Sequence, residues 1–239
     1  MANLKRAAII FDFDDTLVYS HEQFLLAEQT FITRLCELDL YDDGLLAMMR
    51  ENDIANVQRA GYLAAVCFPQ SFVQTYESYC AIYGRTADEQ EKSQLMEMGW
   101  RPYLDPPRAI EGARELLNHL RVNAGDAWRL ILYTQGEQEI QQQRLNLSGM
   151  ADMFDAIKIV KKKNDAELQA LLEEQQLEPS LSWYVGNSLR SDINPAIRAG
   201  LNAAHLTLAN CWSYEDEEPC GFYHIISNLG QFMDLLETC

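Results

Sequence analysis

At 239 residues, with 48% hydrophobic and 10% aromatic residues, the chain has enough apolar mass for one large domain or two modest ones. Lys and Arg number 19 against 36 Asp and Glu, a formal net charge of −17. That field excludes nucleic-acid polymers and anionic membranes as partners, because both need a basic footprint.

Taken in chain order, the first feature is an apolar run, Ala7–Phe13, that reads as a buried strand. Asp12 interrupts it too early for a signal peptide, and no run along the chain approaches the length of a membrane span. The next convincing strand starts only at Trp128, and the stretch between is helical in pattern. Ser20-His-Glu-Gln23, Ser71-Phe-Val-Gln74 and Thr86-Ala-Asp-Glu89 fit the capping box, and a further helix is expected over Asp43–Arg59. Tyr76, Tyr79 and Tyr83 form a stripe at helical spacing that reads as core. The helical stretch, residues 18–108, ends near the Asp105-Pro-Pro107 linker.

Beyond it, strands and helices alternate. Ile110, Ala113, Leu116, Leu117 and Leu120 share a helix face and precede a strand at Trp128–Thr134. Gln138–Arg144 reads as a solvated helix face. Ala156–Val160 is a strand, and Leu168, Leu171 and Leu172 mark the following helix. Leu181–Gly186 is a strand, followed by a helix bearing Ile193, Ala196 and Ile197 that Gly200 terminates. Asn202–Leu208 and His224–Ile226 are further strands, and a last helix carries Phe232, Leu235 and Leu236. Near-continuous apolarity is what a strand covered on both faces shows. The expectation is therefore an α/β protein: a doubly wound, Rossmann-like parallel sheet from residues 1–17 and 109–239, interrupted by an all-helical insertion at 18–108. The six cysteines (Cys36, Cys67, Cys80, Cys211, Cys220, Cys239) are scattered without metal-ligand spacing and read as reduced thiols of a cytoplasmic protein.

The first strand ends in Asp12-Phe-Asp14-Asp15-Thr16-Leu17. In open α/β sheets that end faces the ligand crevice. Alternation sends Asp12 and Asp14 to one side and Asp15 to the other, so Asp15 reads as a capping or loop residue. Two carboxylates closing a buried strand repel each other and imply a nearby cation or a shared proton.

These residues resemble the first signature of the haloacid dehalogenase-like superfamily, an apolar strand followed by D-x-D-x-T-L. The later signatures follow in order: Leu130-Ile-Leu-Tyr-Thr134, the lysines Lys161-Lys162-Lys163, and Gly186-Asn187-Ser-Leu-Arg-Ser-Asp192. The helical insertion is similar to the cap domain of the superfamily's helical-cap branch. The resemblance implies a Mg²⁺-dependent phosphatase that hydrolyses a small phosphorylated metabolite. Asp12 would be the nucleophile of an aspartyl-phosphate intermediate. Asp14 would protonate the leaving alcohol and then activate water. Thr134 and one lysine, Lys163 ahead of Lys162, would bind the phosphoryl group. Asp12, Asp14, Asn187 and Asp192 would hold Mg²⁺ with oxygen ligands. Asn187 departs from the signature, which prefers Asp there and so presents more charge to the metal. In the insertion, Arg59 is a candidate substrate contact, with Arg50 beside it, and a surface role is the competing reading for both. The alternatives are a non-catalytic phospholigand-binding protein on the same fold and a sugar-phosphate mutase. A dehalogenase is disfavoured because Asp14 is present, and a lysine Schiff-base enzyme would have only Lys92 in the insertion.

Overall fold

The computed structural model describes residues 7–123, 128–208 and 217–238. Cys211 and Cys239 lie outside them. The chain divides into two compact units, Met1–His21 with Pro107–Cys239, and Glu22–Pro106.

The first unit is built on a six-stranded sheet. Its strands are β1 (Ala8–Phe11), β4 (Arg129–Gln135), β5 (Ala156–Val160), β6 (Trp183–Gly186), β7 (Asn202–Leu206) and β8 (His224–Ile226), in the order β5-β4-β1-β6-β7-β8. A separate antiparallel ribbon pairs β2 (Val18–Tyr19) with β3 (Arg108–Ala109). Every pairing in the large sheet is parallel, and β1 lies between β4 and β6.

The β1 side chains are fully buried and alternate between two cores. Ile9 and Phe11 join Leu116 and Leu117 of α5 (Ala113–Asn123) and Phe232 of α9 (Leu229–Thr238). Ala8 and Ile10 join Leu168, Leu171 and Leu172 of α7 (Asp165–Glu174) and Ala196 of α8 (Asn194–Arg198). Helices thus cover both faces, as the near-continuous apolarity of the strands requires. The α-helix α6 (Gln138–Ser148) also belongs to this unit.

The second unit holds α1 (His21–Glu37) from Glu22 onward, α2 (Leu45–Ala60), α3 (Cys67–Ile82) and α4 (Glu89–Leu104). Its core is aromatic: Phe31 stacks on Phe72 at 4.4 Å, and Tyr76 and Tyr79 are buried beside them. Tyr83, the third member of the stripe, is exposed. Two capping-box expectations are corrected. Ser71 lies inside α3, where its hydroxyl donates to the Phe68 carbonyl at 2.6 Å, because the helix begins a turn earlier at Cys67. For α4 the cap is Asp88 rather than Thr86, its side chain accepting from the Glu91 N–H at 2.9 Å. A carboxylate on that N–H also complements the helix dipole.

Helices α3 and α4 meet where Gly99 faces Pro69. A Cβ at Gly99 would lie 2.5 Å from the Pro69 Cα, a backbone atom that cannot move aside alone. Gly99→Ala is expected to lower unfolding stability by about 1–3 kcal/mol through overpacking, read from the urea midpoint.

Asp53 on α2 gives a pH signature. Burial pushes its carboxyl up to about 6, and Glu28 adds to the shift. A folded value above the unfolded value of about 3.9 means the native state binds the proton more tightly. Stability therefore falls as pH rises from about 4 to 6. Asp53→Asn should remove that slope and raise stability at neutral pH by about 1–2 kcal/mol, a figure reduced for partial solvent screening. Urea titrations on either side of that window test it.

Candidate active site

The chain leaves β1 in a tight reversal. The Leu17 and Val18 N–H groups donate to the Phe13 carbonyl at 2.9 and 3.1 Å. Asp15 takes a left-handed backbone, φ +55°, and its carboxylate accepts from the Ser20 and His21 N–H groups at 2.8 and 3.0 Å. Asp tolerates that conformation better than most residues. Asp15 thus caps the start of α1, as alternation along the strand suggests. Asp12 is buried, and its N–H donates to the Val185 carbonyl of β6 at 2.9 Å.

Of the lysine triplet, Lys163 is buried while Lys161 and Lys162 are exposed. Its Nζ donates to Asp12 Oδ1 at 2.5 Å and to Asp192 Oδ1 at 2.7 Å. The Lys163 backbone N–H donates to Gln135 Oε1 at 2.8 Å, which ties the lysine loop to the end of β4. Burial alone would lower the ammonium's pKa, but the Asp12 and Asp192 charges hold it well above its ordinary value. Burial pushes the Asp12 carboxyl up to about 8, Lys163 opposes this, and Asp192 and Asp14 push it further. One cation shared by two buried carboxylates leaves negative charge uncompensated.

Asp192 is the most enclosed of these acids. Its Oδ1 also accepts from the Tyr184 hydroxyl at 3.0 Å, and its Oδ2 accepts from the Ser188 N–H at 3.1 Å. It folds back under Gly186, where an added Cβ would lie 2.4 Å from Asp192 Oδ2. That contact explains the glycine at the end of β6: any side chain there evicts the acid that holds Lys163. Both Asp192 oxygens are engaged inside the protein, so the structure places it with the lysine.

Thr134, at the end of β4, is buried, and its Oγ1 accepts from Gln141 Nε2 at 2.8 Å. The same nitrogen donates to Asp14 Oδ2 at 2.7 Å. Arg144, one turn further along α6, pairs with Asp14 Oδ1 at 2.5 Å and donates to Ser20 Oγ at 3.2 Å. The reading of Gln138–Arg144 as a solvated face is therefore wrong at two positions, because Gln141 and Arg144 are 4% and 3% exposed. At Gln141 and Arg144 the inward face of α6 is polar because it covers Asp14 and Thr134, while Leu145 beside them joins the apolar core.

Near Asn187, the Thr16 hydroxyl lies 3.0 Å from Asp12 Oδ2 and 3.3 Å from Asn187 Oδ1, so the carboxylate and the amide oxygen both face that hydroxyl. His205 Nε2 meets the Asn187 backbone carbonyl at 2.8 Å and anchors that loop. An all-oxygen donor set with one carboxylate and one amide fits Mg²⁺, with less charge than a second carboxylate would supply. Among the described residues, no group of three or more His, Cys, Asp or Glu is arranged to hold a metal.

The insertion candidates belong to the second unit. Arg59, exposed in the last turn of α2, donates to Asn56 Oδ1 at 3.3 Å. Arg50 pairs with Glu28 at 2.6 Å, and Lys92 pairs with Glu77 and Glu89 at 2.7 Å each. Those two carboxylates keep the Lys92 ammonium charged, which suits no Schiff base.

Known proteins share this architecture. The chain is 22% identical to a haloacid dehalogenase-like hydrolase from Xanthomonas campestris, with a TM-score of 0.75 over 98% of this chain and 96% of that one. It is 19% identical to the HAD-hydrolase YfnB from Bacillus subtilis, solved with magnesium bound, with a TM-score of 0.65 over 98% and 99%. It is 15% identical to L-2-haloacid dehalogenase from Xanthobacter autotrophicus, with a TM-score of 0.62 over 97% and 98%. At these identities the likeness shows the fold. Over 120 residues the chain is 32% identical to pyrimidine 5'-nucleotidase YjjG from Escherichia coli, a match spanning 47% of this chain and about half (48%) of that relative. A family model for haloacid dehalogenase-like hydrolases matches residues 7–200, and with that span the chain belongs to the haloacid dehalogenase-like hydrolases.

Proposed function

We propose that the protein is a Mg²⁺-dependent phosphatase acting on a small phosphomonoester in the cytoplasm, with Asp12 as nucleophile. One observation carries this reading: a second carboxylate, Asp14, is held by Gln141 and Arg144, and the same Gln141 amide reaches Thr134. Displacement at phosphorus needs a nucleophile, a group that moves a proton to and from oxygen, and donors for the transferring group. In this reading Asp12 attacks phosphorus and Asp14 protonates the departing alcohol. Water, deprotonated by Asp14, then cleaves the aspartyl-phosphate. Thr134 and Lys163 donate to the phosphoryl oxygens, and Lys163 restrains the nucleophile through the bond it already makes. Asp12, Asn187 and the backbone carbonyl of Asp14 would hold Mg²⁺, with Asp192 supporting them through Lys163. When bound, the ion offsets the negative charge of nucleophile and phosphate. Arg59 of the helical unit is proposed as a substrate contact.

A phosphatase reading accounts for Asp14 better than a dehalogenase reading does, since displacement of halide from carbon needs no protonated leaving oxygen. Asn187 is the feature that favours a non-catalytic phospholigand-binding protein. A screen for phosphate release with Mg²⁺ separates these readings. It covers nucleoside monophosphates (the pyrimidine ones because of the nucleotidase relative), sugar phosphates and small phosphorylated acids, with 2-haloacids and halide release in parallel. Phosphate release supports the reading; halide release alone, or neither, removes it.

Asn187 also sets an expectation for the metal. Asn187→Asp adds a charge facing the Thr16 hydroxyl, partly cancelled by the carboxylates already there. Mg²⁺ binding should tighten on the order of tenfold, ~1.4 kcal/mol, by calorimetry at fixed ionic strength. Unchanged or weaker binding in a folded variant shows that Asn187 does not face the ion.

A further inference from the structure

We infer that Gln141 is a positioning residue that fixes the hydroxyl of Thr134 as a hydrogen-bond donor and, with the same amide, the carboxylate of Asp14. The inference rests on the phosphatase reading and adds a residue to it.

The donor and acceptor inventory fixes how the Gln141 amide is turned. Arg144 NH1 lies 3.0 Å from Gln141 Oε1. A guanidinium can only donate, so the amide oxygen must face Arg144 and the amide nitrogen must face the opposite way. That nitrogen has two hydrogens for three acceptors: the nearer two, Asp14 Oδ2 at 2.7 Å and Thr134 Oγ1 at 2.8 Å, take one each, and the Gln135 carbonyl at 3.1 Å shares one of them as the longer branch. A hydroxyl oxygen that accepts an N–H keeps its own proton available. Thr134 is thereby set to donate to an incoming oxygen, which is what an anionic phosphoryl group needs. Without the amide, its proton could turn toward the Asp14 carboxylate or the Gln135 carbonyl. Preorganised donors stabilise charge in a transition state because they need not reorient when it develops.

The backbone is shaped for this side chain. Gly136 adopts φ +151°, and a Cβ there would lie 2.6 Å from Gln141 Cγ. Only glycine lets Gln141 lie across the end of β4. Asp14 is fixed from two sides, by Gln141 on Oδ2 and by Arg144 on Oδ1, so its carboxylate plane cannot rotate freely.

The test is a pair of double-mutant cycles on kcat/KM for p-nitrophenyl phosphate with Mg²⁺, supported by inhibition with orthovanadate. Gln141→Met removes the amide at similar volume. Gln141→Glu keeps the shape and the Arg144 contact while removing both N–H donors, so it serves if the methionine variant does not fold. Either change is expected to lower kcat/KM about thirtyfold in the wild-type background, mainly through kcat, and to weaken vanadate inhibition. In the Thr134→Val and Asp14→Asn backgrounds the same change should cost about fivefold each, because part of what Gln141 positions is already gone. Equal losses in every background, or no loss, overturn the inference while the phosphatase reading stands. A wild-type protein that releases no phosphate from this or any other phosphomonoester overturns that reading and this inference with it.

Discussion

Asp12→Asn is expected to abolish phosphate release, by on the order of 10⁴-fold or more, while the protein stays folded. An amide oxygen is too weak a nucleophile to displace an alcohol from phosphorus. Stability should hold or rise by about 1–2 kcal/mol, because Asp12 is a buried acid whose partner Lys163 is already shared with Asp192. Asp14→Asn should behave differently. It leaves attack possible but removes the proton donor, so aryl phosphates with good leaving groups should suffer less than alkyl phosphates. Equal losses on both substrate types contradict the acid role of Asp14. An Asp12→Asn protein that still turns over removes Asp12 as nucleophile.

Lys163→Met is the second large effect, and it reads first on the fold. The substitution leaves Asp12 and Asp192 buried and facing each other with the Tyr184 hydroxyl as the remaining donor to Asp192 Oδ1. Removing one member of a buried ion pair costs about 3–5 kcal/mol when the other cannot be neutralised. Here protonation offers an escape, so a loss of about 3 kcal/mol is expected near pH 7. The sign with pH follows. Without the cation nothing opposes the burial that already raises the Asp12 carboxyl, so the native state holds its proton more tightly and stability falls as pH rises. The deficit should shrink at about pH 5, and Lys163→Met with Asp192→Asn should recover most of it. Chemical denaturation at the two pH values checks this; a loss under about 1 kcal/mol, independent of pH, contradicts the shared-cation description.

How the site could be seen in the sequence depends on what each residue ends. Asp12 follows the fully buried β1, Thr134 lies near the end of β4, Lys163 follows the partly buried β5, and the Gly186–Asp192 segment starts at the end of the fully buried β6. Charge at such a boundary has few structural explanations, and the signature spacing fixes the order. Gln141 and Arg144 carried no comparable signal. A run of glutamines with one arginine has the composition of a solvated face, and only the three-dimensional neighbourhood of Asp14 makes its inward side polar. Ser71 failed for a related reason. The pattern Ser-x-x-Gln marks a helix start only when the hydroxyl finds free N–H groups, and inside α3 those N–H groups are already bonded. Asp192 was legible as an acid of the site but not as the residue that holds Lys163, because that role depends on Gly186 leaving room beneath it.

In the proposed mechanism two displacements occur at one phosphorus, first by Asp12 and then by water. The steric course tests it most directly. A phosphomonoester substrate of this protein, made chiral at phosphorus with the three oxygen isotopes, is turned over with an acceptor alcohol, and the configuration of the phosphomonoester product is read by phosphorus NMR. Two in-line displacements predict net retention. Net inversion would mean that the acceptor attacks the substrate directly, and would contradict the assignment of Asp12 as a covalent nucleophile.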